Sequence, residues 1–143
     1  MTKAETLAKM SDQIRLDASN DANAAVLDRA KYLALDFIGL AARGSILESS
    51  QPVIKFIQQF GGEGNHRVMA RQDVRPLPQY AAMANGAFAH SLELDDTSNE
   101  ASMHPAVAVF PAALAMAEKE NATGRQFLEA AVYGYEVMVR LGK

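Results

Sequence analysis

The feature that most constrains the fold of this chain is a helical repeat of apolar residues. In the stretch DANAAVLDRAKYLALDFIGLAARG, apolar side chains recur at steps of three and four residues, which places them on one face of an α-helix: Val26, Ala30, Leu33, Ala34, Phe37, Ile38 and Ala41. Either Asn20 or Asp21 is expected to cap this helix, and Gly44 to end it. Because the same period recurs almost throughout, the sequence predicts an all-α bundle of about six helices.

The other helices in the first two thirds of the chain are marked by prolines and glycines. A weaker amphipathic helix is predicted over residues 1–16. A third helix begins near Pro52, ends at the Gly61-Gly62 pair and buries five apolar residues: Val53, Ile54, Phe56, Ile57 and Phe60. The fourth lies in PQYAAMANGAFAHSLEL, where we interpret Gly86 as a point of close helix packing rather than as a hairpin turn.

The two C-terminal helices are recognised by their first turns. In HPAVAVFPAALAMAEKE, Pro105 has a favourable first-turn position, whereas Pro111 is expected to kink or reset the helix. The last helix opens with the capping-box pair Thr123 and Gln126, and its buried stripe is predicted to contain seven residues: Phe127, Leu128, Ala131, Val132, Tyr135, Met138 and Val139.

One irregular segment is predicted near residues 61–78, in GGEGNHRVMARQDVRPLP. Its glycines and prolines break helical periodicity, and only HRVMA suggests a short strand. Arg67, Arg71 and Arg75 lie here beside His66. These arginines either help to hold an anionic substrate or belong to a solvated loop, and we favour the solvated loop.

Composition narrows the classes of function. The 143 residues are 49% hydrophobic and 22% charged, as in a folded domain, so residues 1–143 are expected to form one helical domain. A net charge of −3 gives no indication of a nucleic-acid partner. The absence of cysteine excludes disulfides, thiolate metal sites and cysteine nucleophiles. No signal-peptide pattern and no membrane-spanning apolar run are present, so we expect a cytoplasmic protein without a membrane partner.

Carboxylates gather after the fourth helix, in the stretch AHSLELDDTSNEASMHPAVAVFPAALA. Glu93, Asp95 and Asp96 are predicted to lie at the end of this helix, where negative charge opposes the helix dipole. Local stability therefore does not explain them. One of the two aspartates is alternatively a turn or cap residue, and Thr97 either caps the loop or binds a ligand.

Two histidines flank these carboxylates. His104 precedes Pro105, near a helix N-terminus that suits a neutral imidazole acting as a base or hydrogen-bond donor, so we favour a functional role. His90 is three residues before Glu93; it is either a partly buried helix histidine or part of the site. Three carboxylates and two histidines are groups that could hold a divalent ion. Their spacing matches neither an EF-hand loop nor HExxH, and we predict no metal site.

Several motifs occur in an order that resembles one enzyme family. The stretch ANGAFAHSLELDDTSNEASMHPAVAVFPAALAMAE, followed by TGRQFLEAAVYGYEVMVRLG, is similar to the MmgE/PrpD family, as is LALDFIGLAARGS near the N-terminus. That family includes 2-methylcitrate dehydratase, cis-aconitate decarboxylase and iminodisuccinate epimerase-like enzymes. The resemblance covers most of the chain, and its most specific part is the joint occurrence of NGAFAH, DDT, HP and GYEVMVRLG in that order.

The resemblance implies chemistry next to a carboxylate. Family members act on small di- or tricarboxylic acids, by losing water or carbon dioxide or by inverting a carbon centre, and these reactions share proton transfer beside a carboxylate. It implies no metal or organic cofactor. It also implies that the helical domain forms one wall of the active-site cleft and carries the homodimer contact.

Carried over residue by residue, the resemblance places Glu93, Asp95, Asp96 and Thr97 at the cleft. His104 is then the catalytic acid–base or substrate-binding group, with Asp95 and Asp96 as catalytic partners that orient it or the substrate. Glu93 and Thr97 are implied to bind substrate, and we add His90 to that group.

Length separates this chain from the family. Relatives are roughly three times as long, so this chain resembles only the N-terminal part of their helical domain. The second, α+β domain that closes over the substrate has no counterpart here. We therefore expect a fragment or truncated homologue that is weak or inactive alone. The alternatives are a non-enzymatic dimerisation module and one half of a split enzyme.

Overall fold

The fold consists of helices joined by two irregular segments. The structure is a computed structural model that describes residues 24–143 and, before them, residues 2, 5, 6, 8, 9, 12 and 13. Residues 24–143 form five α-helices, with a single 3₁₀ turn at Glu48–Ser50: α1 (Ala24–Gly44), α2 (Gln51–Phe60), α3 (Pro78–His90), α4 (Ala106–Lys119) and α5 (Gly124–Gly142). The prediction of an all-α fold is confirmed, with five helices described rather than about six.

Two predictions concern the N-terminal segment. The predicted helix over residues 1–16 falls largely outside the described residues, and the predicted cap at Asn20 or Asp21 falls outside them entirely. Of the described helices, none combines the length and the apolar character that a membrane span requires.

An aromatic core holds α1, α3, α4 and α5 together. Phe37, Phe88 and Phe110 are fully buried, and each such side chain contributes about 1.5–3 kcal/mol through removal from water. The Phe110 ring centroid lies 5.7 Å from that of Phe37 on α1 and 5.7 Å from that of Tyr135 on α5. The predicted stripe of α5 faces this core, but of its seven members only Ala131 is completely buried.

The edges of the bundle differ from the prediction. Ile54 and Ile57 of α2 are buried, whereas Phe56 and Phe60 are exposed. Because α2 packs on one side only, mainly against α3, it has room for a single buried stripe. The Phe56 and Phe60 rings contact each other at the surface, with centroids 5.1 Å apart. On α1, Val26 and Ile38 are also more exposed than predicted.

Glycine allows the closest helix contacts. A Cβ atom on Gly86 of α3 would lie 2.5 Å from the carbonyl oxygen of Val107 on α4, and one on Gly44 would overlap the Phe88 carbonyl at 1.8 Å. The interpretation of Gly86 as a packing point and of Gly44 as the end of α1 is confirmed. These helices therefore approach each other almost backbone to backbone.

Pro111 was predicted to kink or reset the helix. It lies inside α4, which continues through it, so the reset is wrong and the kink stays a prediction. Proline lacks the N–H that would bond to the carbonyl four residues earlier, which is that of Val107. The carbonyl that Pro111 leaves without a helical donor is thus the one that faces Gly86. The proline is accommodated at the helix contact.

The two irregular segments lie between α2 and α3 and between α3 and α4. The first, residues 61–77, contains the isolated bridge Val68–Arg71 and no strand, so the short strand suggested by HRVMA is wrong.

The predicted capping box at the start of α5 is confirmed: Gln126 N donates to Thr123 Oγ1 at 3.3 Å and Thr123 N donates to Gln126 Oε1 at 2.8 Å.

Candidate functional site

The candidate site is built on the α3–α4 loop, residues 91–105. His90 is the last residue of α3, and His104 lies two residues before α4. A backbone bridge folds the loop, because Ser98 N donates to Met103 O at 2.8 Å and Met103 N donates to Ser98 O at 3.3 Å. The bridge brings Thr97 and His104, the next residues on either side, to neighbouring positions.

The two histidines converge on one buried carboxylate. The Asp95 side chain is only 1% exposed, while those of His90 and His104 are 44% and 36% exposed. His90 Nδ1 lies 3.1 Å from both carboxylate oxygens, His104 Nδ1 lies 3.1 Å from Oδ2, and the ring centroids are 5.1 Å apart. We call these three residues the His–Asp–His cluster.

The two imidazole contacts with Asp95 differ in kind. The geometry of the His90 contact is that of a hydrogen bond. His104 Nδ1 is equally near, yet it is buried and makes no hydrogen bond to any described residue, so the proximity is not matched by the direction of the N–H. A buried carboxylate needs such neighbours, because an uncompensated charge there would be strongly destabilising.

Glu93 and Thr97 lie on the exposed side of the loop. Glu93 Oε1 is 3.7 Å from His90 Nε2, the ring nitrogen not turned to Asp95. Glu93 has φ of 55°, in the left-handed region that non-glycine residues seldom adopt. Its main-chain N–H donates to the His90 carbonyl at 3.0 Å, which fixes the turn directly after α3.

Asp96 uses both of its carboxylate oxygens to hold the loop in place. Oδ1 accepts a hydrogen bond of 2.9 Å from Ala106 N in the first turn of α4, and Oδ2 accepts one of 2.8 Å from Tyr135 Oη on α5. Burial, and then the bond to Asp96, raise the pKa of the Tyr135 hydroxyl far above its ordinary value. The hydroxyl therefore remains the donor.

The predicted position of the acidic residues needs correction. The fourth predicted helix corresponds to α3, and it was expected to end with Glu93, Asp95 and Asp96. Because α3 already ends at His90, all three residues lie beyond it in the loop. The helix-dipole argument therefore does not apply to them. Their positions follow from contacts with the imidazoles, with α4 and with α5.

The basic segment makes contacts of its own. Arg71 forms a two-point ion pair with Asp73, at 2.8 and 2.6 Å, and Arg67 Nε lies 3.4 Å from Glu118 Oε1. Arg71 also lowers the pKa of the Asp73 carboxyl. Arg75 contacts only main-chain carbonyls in the described part of the chain. These contacts agree with the solvated-loop interpretation.

Two positioning residues were not singled out by the sequence. Tyr135 was assigned only to the apolar stripe of α5, although its hydroxyl bonds across 39 positions to Asp96. Asn85 is buried and pins the first irregular segment, accepting from Met69 N at 2.7 Å and donating to Arg67 O at 2.8 Å. The available signal was a polar group in an otherwise apolar helix face, since such groups require a partner when buried.

The same cluster contains groups of the kinds that bind metal ions. One ligand atom from each of His90, Asp95 and His104 lies within 4.8 Å of the other two. Its chemistry therefore allows both proton transfer by an imidazole and coordination of a cation.

Comparison with known proteins identifies relatives of the chain. The cis-aconitate decarboxylase-like protein oryM of Aspergillus oryzae is 38% identical over 130 residues, which cover 86% of this chain and 27% of that protein. Cis-aconitate decarboxylase of Aspergillus terreus is 36% identical over 132 residues, covering 88% and 26%. The Mus musculus cis-aconitate decarboxylase is 30% identical over 141 residues, covering 96% and 28%.

The similarity covers most of this chain but only a part of each relative. The chain spans about a quarter of the length of the curated relatives it matches. The sequence profile of the MmgE/PrpD N-terminal domain matches residues 5–143, which include every helix and both irregular segments described above. The chain therefore belongs to the MmgE/PrpD family.

Proposed function

We propose that this chain supplies one wall of the active site of a cofactor-independent lyase or isomerase acting on small di- or tricarboxylic acids. The observation that supports this most is the buried Asp95 carboxylate between the imidazoles of His90 and His104. A buried carboxylate beside an imidazole sets its tautomer and stabilises its protonated form. Proton transfer by such a group contributes typically about 10²–10⁴-fold to a rate.

In this proposal, His104 transfers the proton. With the Nδ1 side of its ring facing Asp95, Nε2 is the nitrogen available to a substrate. The ring is about one third exposed, so a ligand can reach it. His90 and Asp95 orient the ring and its charge, while Asp96 positions the loop through Ala106 and Tyr135.

The relatives favour decarboxylation among the possible reactions. The similar proteins named above are described as cis-aconitate decarboxylases or as decarboxylase-like. When a carboxylate leaves as carbon dioxide, the electron pair of the broken C–C bond remains on the carbon skeleton, which must then take up a proton. We assign that proton to the His104 imidazolium, which returns to the neutral form.

Substrate binding is assigned to Glu93, Thr97 and His90. Thr97 is exposed next to the cluster, where its hydroxyl can donate to a carboxylate of the ligand. Glu93 acts through His90, because its Oε1 lies 3.7 Å from His90 Nε2 and holds that imidazole towards the substrate. A groove of about 500 Å³ between α3 and α4, lined by Met83, Gly86 and Val107 among others, extends to His90. It is large enough for a small carboxylic acid beside the imidazole.

The isolated chain should nevertheless be a poor catalyst. Its similarity covers about a quarter of each relative, and positioning and proton transfer by several groups act together. We expect the purified chain to release carbon dioxide from cis-aconitate at least about 100-fold more slowly than a full-length relative. Turnover comparable to that of the relatives would show that the chain needs no further groups.

Binding can be tested on the chain itself. Nuclear magnetic resonance of ¹⁵N-labelled imidazoles follows all three histidines separately. After metal removal on a chelating resin, cis-aconitate should shift the signals of His90 and His104 but not that of His66. The His104→Gln variant should lose the His90 response, whereas the control variant His66→Gln should keep both responses.

The opposite outcomes are equally clear. Unchanged His90 and His104 signals up to about 10 mM cis-aconitate, a range that reaches weaker than millimolar affinity, would contradict the proposed site. So would equal shifts at His66. Circular dichroism of each variant confirms that the helices are retained.

A second candidate is an interaction role as a homodimerisation module. On α1, Tyr32 and Leu35 are more than half exposed, on the side of the helix away from the buried residues. An apolar helix face of this kind favours contact with another protein surface. Light scattering should then show a dimer that the change Leu35→Glu weakens, whereas a monomer at all concentrations would exclude this role.

A further inference from the structure

The His–Asp–His cluster has the composition of a transition-metal site. Two imidazole nitrogens and one carboxylate oxygen suit Zn²⁺, Co²⁺, Ni²⁺ or Fe²⁺. Ca²⁺ and Mg²⁺ instead prefer sites made of oxygen alone. The chain has no cysteine and only three histidines, so the cluster contains two of its three imidazole ligands, and there is no thiolate ligand.

The distances are close to those that one ion would require. In a tetrahedral site with bonds of about 2.0–2.1 Å, neighbouring ligand atoms are about 3.3–3.4 Å apart. The observed separations from Asp95 to His90 Nδ1 and to His104 Nδ1 are both 3.1 Å. One ligand atom from each of the three residues lies within 4.8 Å of the others. Both rings are partly exposed, so they have room to turn towards a shared ion.

An unsatisfied atom also points to a ligand. His104 Nδ1 is buried and has no hydrogen-bond partner among the described residues, although a carboxylate oxygen is 3.1 Å away. Buried polar atoms are nearly always paired, and an exception requires an explanation such as a water or an ion. His66 Nδ1 is also buried and unpaired, but only His104 Nδ1 has a carboxylate beside it among the described residues. A cation between His104 Nδ1 and the Asp95 carboxylate would accept a lone pair from each of them. An N–H on Nδ1 that does not point at the carboxylate leaves both without this partner.

The surroundings complete the features expected of such a site. Glu93 Oε1 lies 3.7 Å from His90 Nε2, so a carboxylate is near the ring nitrogen that would not bind the ion, as at many metal-bound histidines. Asp95 is buried, and both rings are partly exposed. An ion could enter from solvent and would keep positions open to water.

We infer that His90 Nδ1, the Asp95 carboxylate and His104 Nδ1 form a binding site for a divalent transition-metal ion. One consequence rests on the proposed function. An ion on Nδ1 occupies the nitrogen that a second ring proton would need, so His104 cannot become the imidazolium that donates a proton to the substrate in that proposal. Metal binding would therefore inhibit proton transfer rather than assist it.

The test measures metal binding alone, without a carboxylic acid. Metal-free protein is titrated with Co²⁺, whose visible absorption reports coordination, and with Zn²⁺ by calorimetry. We expect one ion per chain with a Kd of about 10 μM or tighter. His104→Gln and His90→Gln should each weaken binding at least about tenfold, and Asp95→Asn should do the same.

His66→Gln is the matched control, because it removes the third histidine and leaves the cluster unchanged. Its affinity should equal that of the unmodified chain. If Asp95→Asn does not fold, as judged by circular dichroism, the exposed His90→Gln variant still decides the matter. Binding that is unaffected by His90→Gln and His104→Gln, or equally weakened by His66→Gln, would overturn the inference, as would no binding up to about 1 mM.

The metal titration can succeed or fail independently of the proposed function. Cis-aconitate binding is measured on metal-free protein, and metal binding is measured without cis-aconitate. A failure of one therefore leaves the outcome of the other unchanged.

Discussion

The two irregular segments, residues 61–77 and 91–105, are built alike but arrange their charges differently. Each contains one isolated backbone bridge, and each has a residue with left-handed φ, Ala70 at 56° in the first and Glu93 at 55° in the second. Each is also held by a polar side chain from a neighbouring helix, Asn85 for the first and Tyr135 for the second.

The difference lies in where the charged groups find partners. In the first segment, Arg71 pairs with Asp73 two positions away, and His66 forms no ion pair with any described residue. In the second, His90 and His104 both approach the buried Asp95 carboxylate. A histidine among charges is therefore not enough for a site. Convergence on a carboxylate withdrawn from water is what distinguishes the two.

The largest expected effect on the free energy of unfolding comes from replacing Asn85, the side chain that holds the first segment in place. Asn85→Ala removes a buried side chain and leaves Met69 N–H and Arg67 C=O without their part-buried hydrogen bonds. We expect a loss of about 2–4 kcal/mol in the free energy of unfolding, measured by urea denaturation. The control Gln79→Ala, at an exposed position of the same helix, should change it by less than about 0.5 kcal/mol.

This substitution also tests the separation of the two segments. The imidazole response to cis-aconitate should persist in folded Asn85→Ala protein, because the hydrogen bonds of the Asn85 side chain in the described part of the chain go only to the first segment. Loss of that response in Asn85→Ala protein that circular dichroism shows to be folded would show that the first segment belongs to the site.

Replacing Tyr135, the side chain that holds the second segment in place, should have an intermediate effect on the free energy of unfolding. Tyr135→Phe removes the bond to Asp96 but leaves the one from Ala106 N. We expect a loss of about 1.5 kcal/mol near pH 7, as for a hydrogen bond to a charged group. Unlike Asn85→Ala, it should also weaken the cis-aconitate response, because it releases the loop that carries Asp95 and His104.

The pH dependence of Tyr135→Phe follows from the raised pKa of Tyr135. The unfolded chain loses this proton near pH 10, whereas the folded chain keeps it, so the folded state binds more protons above that pH. The stabilising contribution is fully present below about pH 10 and declines as pH rises. The stability difference between the unmodified chain and the Phe variant should therefore shrink above pH 10. A constant difference would contradict the proposed donor role.

The smallest expected effect concerns the left-handed residues. Ala70→Gly and Glu93→Gly each place glycine where φ is positive, and each should stabilise the chain by about 0.5–1 kcal/mol. Only Glu93→Gly should weaken cis-aconitate binding, because only Glu93 lies beside the cluster. Equal weakening by both would remove the distinction between the two segments.

The sequence predicted the helices better than the contacts between loops and helices. The all-α fold, the end of α1 at Gly44, the capping box at Thr123 and the packing role of Gly86 follow from local rules and are confirmed. The exposed Phe56 and Phe60 were missed, because hydrophobicity does not reveal that α2 lies at the edge with one covered face.

The site was predictable in composition but not in arrangement. The gathering of His90, Asp95 and His104 in one stretch was visible, and their common contact was not, because it depends on how α3 and α4 meet. Asp96 bonds to a tyrosine 39 positions away, and no spacing rule indicates such a partner. The roles of these residues in catalysis stay predictions.

The close approach at Gly86 has a consequence for the His–Asp–His cluster. His90 ends α3 and His104 lies just before α4, and these two helices cross where Gly86 meets the Val107 carbonyl. The loop that carries Asp95 therefore spans a gap whose width depends on that crossing. A bulkier residue at position 86 would push the two backbones apart and draw the imidazoles away from the carboxylate between them, although position 86 contacts neither ring. The geometry of the cluster thus depends on an atom that glycine lacks.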